Sequence, residues 1–268
     1  MAALIGGRAI SNYKSLTPPT TRRRIASAGF HRLVPARVIY FVSAYERRRQ
    51  MKAIMRWVVF ALFFVGNVVC AEMPKGEYLE GKDSKVGVIL AHGQGMEPDS
   101  DVVGPLRKSI NKELGFHTLS LQMPVVSGAK SPDKFLEYGP TFPDAYRTIQ
   151  AGIDFLKEKG VERIYLMGYS MGGRMTTGFL AQSPDSGIIG YIGVGLLGGG
   201  PEPLNTNLNL KKIKLPVIDI YADSGPDAKS AEFRKSFVSN RYTQVVISGA
   251  KHDYRGYDNQ VAKAVIAW

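Results

Sequence analysis

Ser170 stands in Gly168-Tyr169-Ser170-Met171-Gly172, a hydroxyl flanked two residues away on each side by positions without side chains. The residues before it, Arg163 to Met167, read as a strand, and Met171 to Gln182 reads as a helix with Pro184 beyond. A Gly-x-Ser-x-Gly knot between strand and helix lifts a serine onto a tight, exposed turn. The glycines remove side chains where the two backbones must approach closely. The helix start supplies N–H groups and a positive end where an oxyanion could form. The chemistry this allows is attack of the hydroxyl on an acyl carbon. By itself the motif is equally a Gly-rich turn with a capping serine, so its partners decide its meaning.

A serine hydroxyl is a poor nucleophile without a base. Beyond residue 71 the candidates are His92, His117 and His252. His117 lies inside an apolar strand and reads as structural, and His92 closes the strand Val86 to Ala91. His252 lies in the polar loop "SGAKHDYRGY" after the last strand, where an imidazole could face Ser170, so it is the expected base. The acid should fall between serine and histidine, because Ser, acid, His is the chain order of this arrangement. "DIYADSGPDAK" offers three carboxylates there. Asp219 is inside the strand Pro216 to Tyr221 and reads as a buried, hydrogen-bonded side chain. Asp223 is the first acid past that strand. Asp227, four residues on, could instead be a first-turn carboxylate favouring the next helix's dipole. Both stand as candidates, with Asp227 slightly favoured. Asp253 reads as solvated or as a local loop partner.

An oxyanion needs a second donor besides the N–H of Met171. In "AHGQGM", Gly93 and Gly95 let the backbone bend so that the N–H of Gln94 could be presented beside it.

The elements that must hold these residues alternate. Val86 to Ala91, His117 to Gln122, Arg163 to Met167, Ile188 to Leu197, Pro216 to Tyr221 and Thr243 to Ile247 read as strands. Pro98 to Leu114, Asp144 to Lys159, Met171 to Gln182, Ala228 to Ser239 and Tyr257 to Trp268 read as helices. Ala145, Ile149, Ile153 and Leu156 mark the buried stripe of the clearest helix. Strands alternating with helices predict right-handed βαβ units, hence an α/β fold with a mostly parallel sheet covered on both faces.

The chain of 268 residues has a formal net charge of +12, which raises the question of a nucleic-acid partner. The charge is local: 12 of the 35 Lys and Arg lie before residue 57 beside a single acid, Glu46. The rest of the chain carries 23 basic and 22 acidic side chains, so a basic nucleic-acid-binding face is not expected. Met51, Lys52 and Arg56 precede the apolar run Trp57 to Val65, and Val69-Cys70-Ala71 has the form of a cleavage site. Residues 51–71 are thus expected to be a secretory signal cut after Ala71. The uncharged run, residues 57–71, is shorter than the roughly 20 residues a spanning helix needs. If uncleaved, it would be a membrane anchor. Residues 1–50, Arg-rich and acid-poor, read as a transit-like extension or, preferably, as lying upstream of a true start at Met51. Cys70, the only cysteine, would then leave with the signal, and residues 72–268 would form the mature domain, periplasmic or secreted.

From about Gly81 to Trp268 these residues resemble the α/β-hydrolase superfamily: "HGQG" after an early strand, "GYSMGG" at the turn, an acid loop after "PVIDIYAD", and "GAKHDYRG" before a last helix. They look most like a compact, secreted proteobacterial group within it. The resemblance implies the α/β-hydrolase fold, Ser170 as nucleophile, His252 as base and an acyl-enzyme intermediate, with no metal or organic cofactor. It implies a small ester or acyl substrate, most simply a carboxylic ester. The same parts would serve a thioesterase or small peptidase, and a catalytically silent envelope binding protein could share the fold. Two departures stand out. The acid loop carries an extra residue or two, and no long insertion supplies a cap, leaving Gly198 to Leu210 as at most a small lid.

Overall fold

The computed structural model describes residues 46–52, 72–128 and 132–268. The chain separates into two compact units, Met1–Asn67 and Val68–Trp268. In the first, residues 46–52 form a short exposed helix. The expected signal run, residues 57–71, lies outside the described residues, as do residues 1–45. Among the described residues no helix is long and apolar enough to cross a membrane.

The second unit is built on seven strands: β1 (Gly76–Leu79), β2 (Val86–Ala91), β3 (His117–Leu121), β4 (Arg163–Tyr169), β5 (Ile188–Val194), β6 (Val217–Ala222) and β7 (Tyr242–Ile247). They lie in the order β1-β3-β2-β4-β5-β6-β7. β1 pairs antiparallel with β3, and every other neighbouring pair is parallel. The helices are α1 (Val103–Leu114), α2 (Phe142–Glu158), α3 (Met171–Gln182), α4 (Thr206–Lys212), α5 (Gly225–Arg234) and α6 (Asp258–Ala267).

Each face of the sheet has its own core. Ile89, Leu119 and Leu166 face Ile149, Ile153 and Leu156 of α2 and Met175 and Phe179 of α3. Val88, Leu90, Met167 and Ile192 point the other way, onto Leu106 and Ile110 of α1 and Val261 and Val265 of α6. The strands are therefore apolar on both faces and lack the alternation of a half-exposed sheet, as anticipated. The α/β architecture with minimal capping is present as read.

The boundaries that moved have local causes. α1 begins at Val103 and not at Pro98, because Asp101 sits at φ 48° and cannot continue a right-handed helix. β5 ends at Val194, where Gly195 turns the chain at φ 56°. α5 starts at Gly225 with a proline in its first turn, three residues before the expected Ala228. It ends at Arg234 and gives way to a 3₁₀ turn, Lys235–Phe237. Edge strand β1, the 3₁₀ segment Pro132–Thr141 and α4 were not anticipated; each is short or lacks a clear apolar period.

Chain direction sets where a site can lie. From β2 the chain runs outward to β3, then crosses back to β4 on the other side of β2. Loops leaving the carboxyl ends of β2 and β4 therefore diverge and leave a crevice, the place where open α/β sheets take ligands. His92-Gly93-Gln94 follows β2, and Ser170 follows β4.

Candidate active site

Ser170 joins β4 directly to α3 at φ 52° and ψ −114°, a conformation an L-residue rarely adopts. Such backbone costs of order 1–3 kcal/mol and persists only where its surroundings over-determine it. Ser170 N–H donates to the Val194 carbonyl (3.2 Å), and the Ser170 carbonyl accepts from Arg174 N–H (3.3 Å). The flanking glycines are sterically required. A Cβ on Gly172 would lie 2.5 Å from the His92 carbonyl oxygen, and one on Gly168 would lie 2.7 Å from Gly173 Cα. The crowding of glycine around this serine lets α3 start against the ends of β2 and β4.

His252, in the loop between β7 and α6, brings Nε2 to 2.9 Å from Ser170 Oγ and Nδ1 to 2.6 Å from Asp227 Oδ1. A carboxylate only accepts, so Nδ1 carries the proton toward Asp227 and leaves the Nε2 lone pair for the serine O–H. Tyr169, the residue before the serine, holds the histidine twice. Its hydroxyl donates to the His252 carbonyl (3.0 Å), and its ring stacks on the imidazole at 5.5 Å between centroids.

Asp227 is fully buried in the first turn of α5, where the helix N-terminus favours its negative charge. Its Oδ2 accepts from the Tyr254 hydroxyl (2.7 Å) and more distantly from Ala222 N–H (3.4 Å). Asp223, the other candidate acid, is elsewhere. It is exposed, and its Oδ2 accepts from Gly249 N–H (3.0 Å), tying the loop after β6 to the loop after β7. The turn Asp223-Ser224-Gly225 leads Asp223 outward and brings Asp227 in on the helix, so Asp223 does not meet His252.

The remaining candidates fall as read. Asp219 is buried on β6 against Arg234, Tyr242 and Gln244. His117 bonds the Tyr78 hydroxyl and the Ser84 carbonyl. Asp253 accepts from Arg255 N–H (3.2 Å) in its own loop. His92 is a brace: Nδ1 donates to the Gly93 carbonyl (2.9 Å), and Nε2 accepts from Met123 N–H (3.0 Å). Burial pushes its pKa below the ordinary 6.5, so it stays neutral while it fixes the start of the Gln94 loop.

Gln94 and Met171 line the same cavity as Ser170 and His252, a space of about 190 Å³. Residue 171 opens α3, so its N–H belongs to the first turn, which has no acceptor within the helix. Sequence reasoning missed four contributors. Tyr169 and Tyr254 sit inside motifs already singled out, but nothing in the spacing marks which neighbour holds His252 and which holds Asp227. Phe135 and Arg174 also line the cavity, the first from the unanticipated 3₁₀ segment. The assembly can pass a proton from hydroxyl to imidazole while the serine oxygen bonds an electrophilic carbon facing the cavity.

A family model described as an alpha/beta hydrolase domain matches residues 84–263, from just before β2 into α6. The chain belongs to the α/β-hydrolase family. No match was found among curated proteins. Solved structures of α/β hydrolases superpose on most of the second unit. A dienelactone hydrolase from Anabaena variabilis matches with a TM-score of 0.55 at 18% identity, covering 72% of this chain and 89% of that one. An α/β serine hydrolase homologue from Coxiella burnetii gives 0.55 at 17% identity, covering 71% and 90%. A structure from work on the metagenome-derived lipolytic enzymes LipS and LipT gives 0.54 at 15%, covering 73% and 96%. At these identities the likeness establishes a shared fold. This α/β hydrolase keeps the fold's minimal form: between β5 and β6 only the seven-residue α4 interrupts the loop.

Proposed function

We propose that this α/β hydrolase is a serine hydrolase of small carboxylic esters. The observation that carries the reading is the continuous line from Ser170 Oγ through His252 to Asp227, at 2.9 and 2.6 Å, opening on one small cavity. Ser170 Oγ attacks the ester carbonyl carbon while His252 Nε2 takes its proton. The imidazolium that forms is stabilised by Asp227. The negative oxygen of the tetrahedral intermediate lies against the N–H groups of Gln94 and Met171. Collapse breaks the bond to the alkoxy group, which leaves as the alcohol with the proton from His252, and the acyl group stays on Ser170. A water then gives its proton to His252 and attacks the acyl carbon, releasing the acid and restoring the serine. Asp223 has no part in this account.

A cavity of about 190 Å³ suits a short acyl group better than a long chain. The lipolytic and dienelactone-hydrolysing neighbours fit an ester-type substrate. Residues 51–71 support export of the mature enzyme to the periplasm or beyond, with no nucleic-acid partner. A panel of p-nitrophenyl esters from acetate to decanoate tests the reading. Turnover should peak at short chains and vanish in Ser170→Ala; absence of turnover across the panel, or equal turnover in the variant, would overturn it.

A further inference from the structure

Among the described residues three arginines are buried: Arg107, Arg174 and Arg234. Two are neutralised by forked carboxylate pairs. Arg107 donates through Nε and Nη2 to Asp99 at 2.8 and 2.6 Å, and Arg234 through Nε and Nη2 to Asp219 at 2.9 Å each. Arg174 is 5% exposed and, among the described residues, has no such partner. Among the described residues its guanidinium donates to neutral carbonyls, through Nη1 to Gly199 (2.7 Å) and Leu204 (2.6 Å) and through Nη2 to Gly198 (3.0 Å). One flat face lies over Phe135, 4.3 Å from the ring centroid. Three of five N–H groups are thereby used, and none of these three faces an anion.

A buried cation without a counter-ion is costly. Burial lowers the pKa of Arg174 to about 10, and no carboxylate among the described residues offsets it. At neutral pH the group still carries its charge, and it does so in the wall of the cavity that holds Ser170 and His252. Among the described residues lining that cavity it alone is permanently charged. It sits one helical turn beyond Ser170, about 5–6 Å along α3. The carbonyl contacts fix the guanidinium plane, so its position is preorganised. A loop clamp needs only the neutral donors; a positive charge in the wall of the cavity that holds Ser170 has a use if something negative arrives with the substrate.

We infer that Arg174 is a specificity residue that pairs with an anionic group, a carboxylate, carried by the substrate within a few bonds of the carbonyl attacked by Ser170. This deepens the ester reading and rests on it for the reaction, but the anion subsite can be measured without turnover. The carboxylate could belong to the acyl part, as in a dicarboxylic half-ester, or to the alcohol part.

The test compares matched substrates on the full chain. Monomethyl succinate is set against methyl pentanoate for the acyl side, and acetoxyacetate against acetoxyacetamide for the alcohol side, all followed by acid release in a pH-stat. At least one anionic ester should exceed its neutral twin in kcat/KM by roughly ten- to hundredfold, the scale of a charge-assisted hydrogen bond. Which pair shows the excess identifies the side. In Arg174→Gln that ratio should collapse toward one, and Arg174→Lys should restore part of it; a ratio tolerates a general loss of activity in either variant. Should Arg174→Gln fail to fold, the wild type still decides, by calorimetric binding of succinate against succinamide. Tighter succinate binding that weakens with added salt supports the subsite. Neutral esters turned over as well as their anionic twins, with succinate no tighter than succinamide, would remove the subsite and leave the ester reading standing. Succinate binding through Arg174 without turnover of any ester would keep the subsite and remove the ester reading.

Discussion

The Tyr254 hydroxyl donates to Asp227 Oδ2 at 2.7 Å, so the carboxylate facing His252 with one oxygen is fixed by the other. Tyr254 is itself fully buried, sits at φ 52°, and packs edge-on against Tyr169, whose ring stacks on the imidazole. Two aromatic side chains thus frame the His–Asp pair. Burial beside Asp227 raises the Tyr254 pKa above the usual 10, which keeps the phenol a donor throughout the working range. Tyr254→Phe should lower kcat by about tenfold with little change in KM, and cost about 1–3 kcal/mol of stability in urea titration. Unchanged kcat would show that Asp227 needs no second anchor.

Asp227 and Asp223 are four residues apart and should behave as unrelated residues. Asp227→Asn leaves the imidazole facing an amide and should reduce kcat by about 10³- to 10⁴-fold. Asp223→Asn removes an exposed loop contact to Gly249 and should stay within about threefold. Steady-state kinetics on a short p-nitrophenyl ester checks both, and the reverse order would place the acid in the wrong loop.

That pair shows how far the residues alone could be read. The turn around Ser170, the loop position of His252 and the alternating strands are stated by local patterns: a motif at a strand end, a histidine in a late loop, runs of Val, Ile and Leu. Choosing between two aspartates depends on where α5 begins. Gly225-Pro226 starts the helix early enough to carry Asp227 inward; a helix begun at Ala228 leaves the two acids equivalent. Arg174 falls inside the expected helix Met171 to Gln182, yet its burial depends on carbonyls 24 to 30 residues downstream that no spacing rule connects to it. Phe135 comes from a 3₁₀ segment without a period to detect. Contacts between distant irregular segments were the part that stayed hidden.

His92 gives the fold an acid limit. Its pKa lies below 6.5 in the folded chain because burial disfavours the cation, whereas the unfolded chain takes up a proton near 6.5. The unfolded state then binds more protons as pH falls, so the stability is present above about 6.5 and is lost as pH drops toward the folded value. Urea midpoints should decline over that range, and His92→Gln should flatten the decline at the cost of a lower plateau. A decline of equal slope in the variant would assign it to other groups.

Export makes a separate prediction. The mature protein recovered from the periplasm of an expressing bacterium should begin at Glu72, after Ala71. Edman or mass-spectrometric sequencing of the N-terminus decides it, and a terminus upstream of Met51 would contradict the signal.

The central claim is that Ser170 is a nucleophile activated by His252, and a fluorophosphonate probe addresses it most directly. Intact-mass analysis should show one adduct per chain, mapped by peptide sequencing to Ser170. The adduct should be lost in Ser170→Ala and should form at least about 10³-fold more slowly in His252→Ala. No adduct on the folded wild type, or equal labelling of the Ser170→Ala chain, would contradict the account.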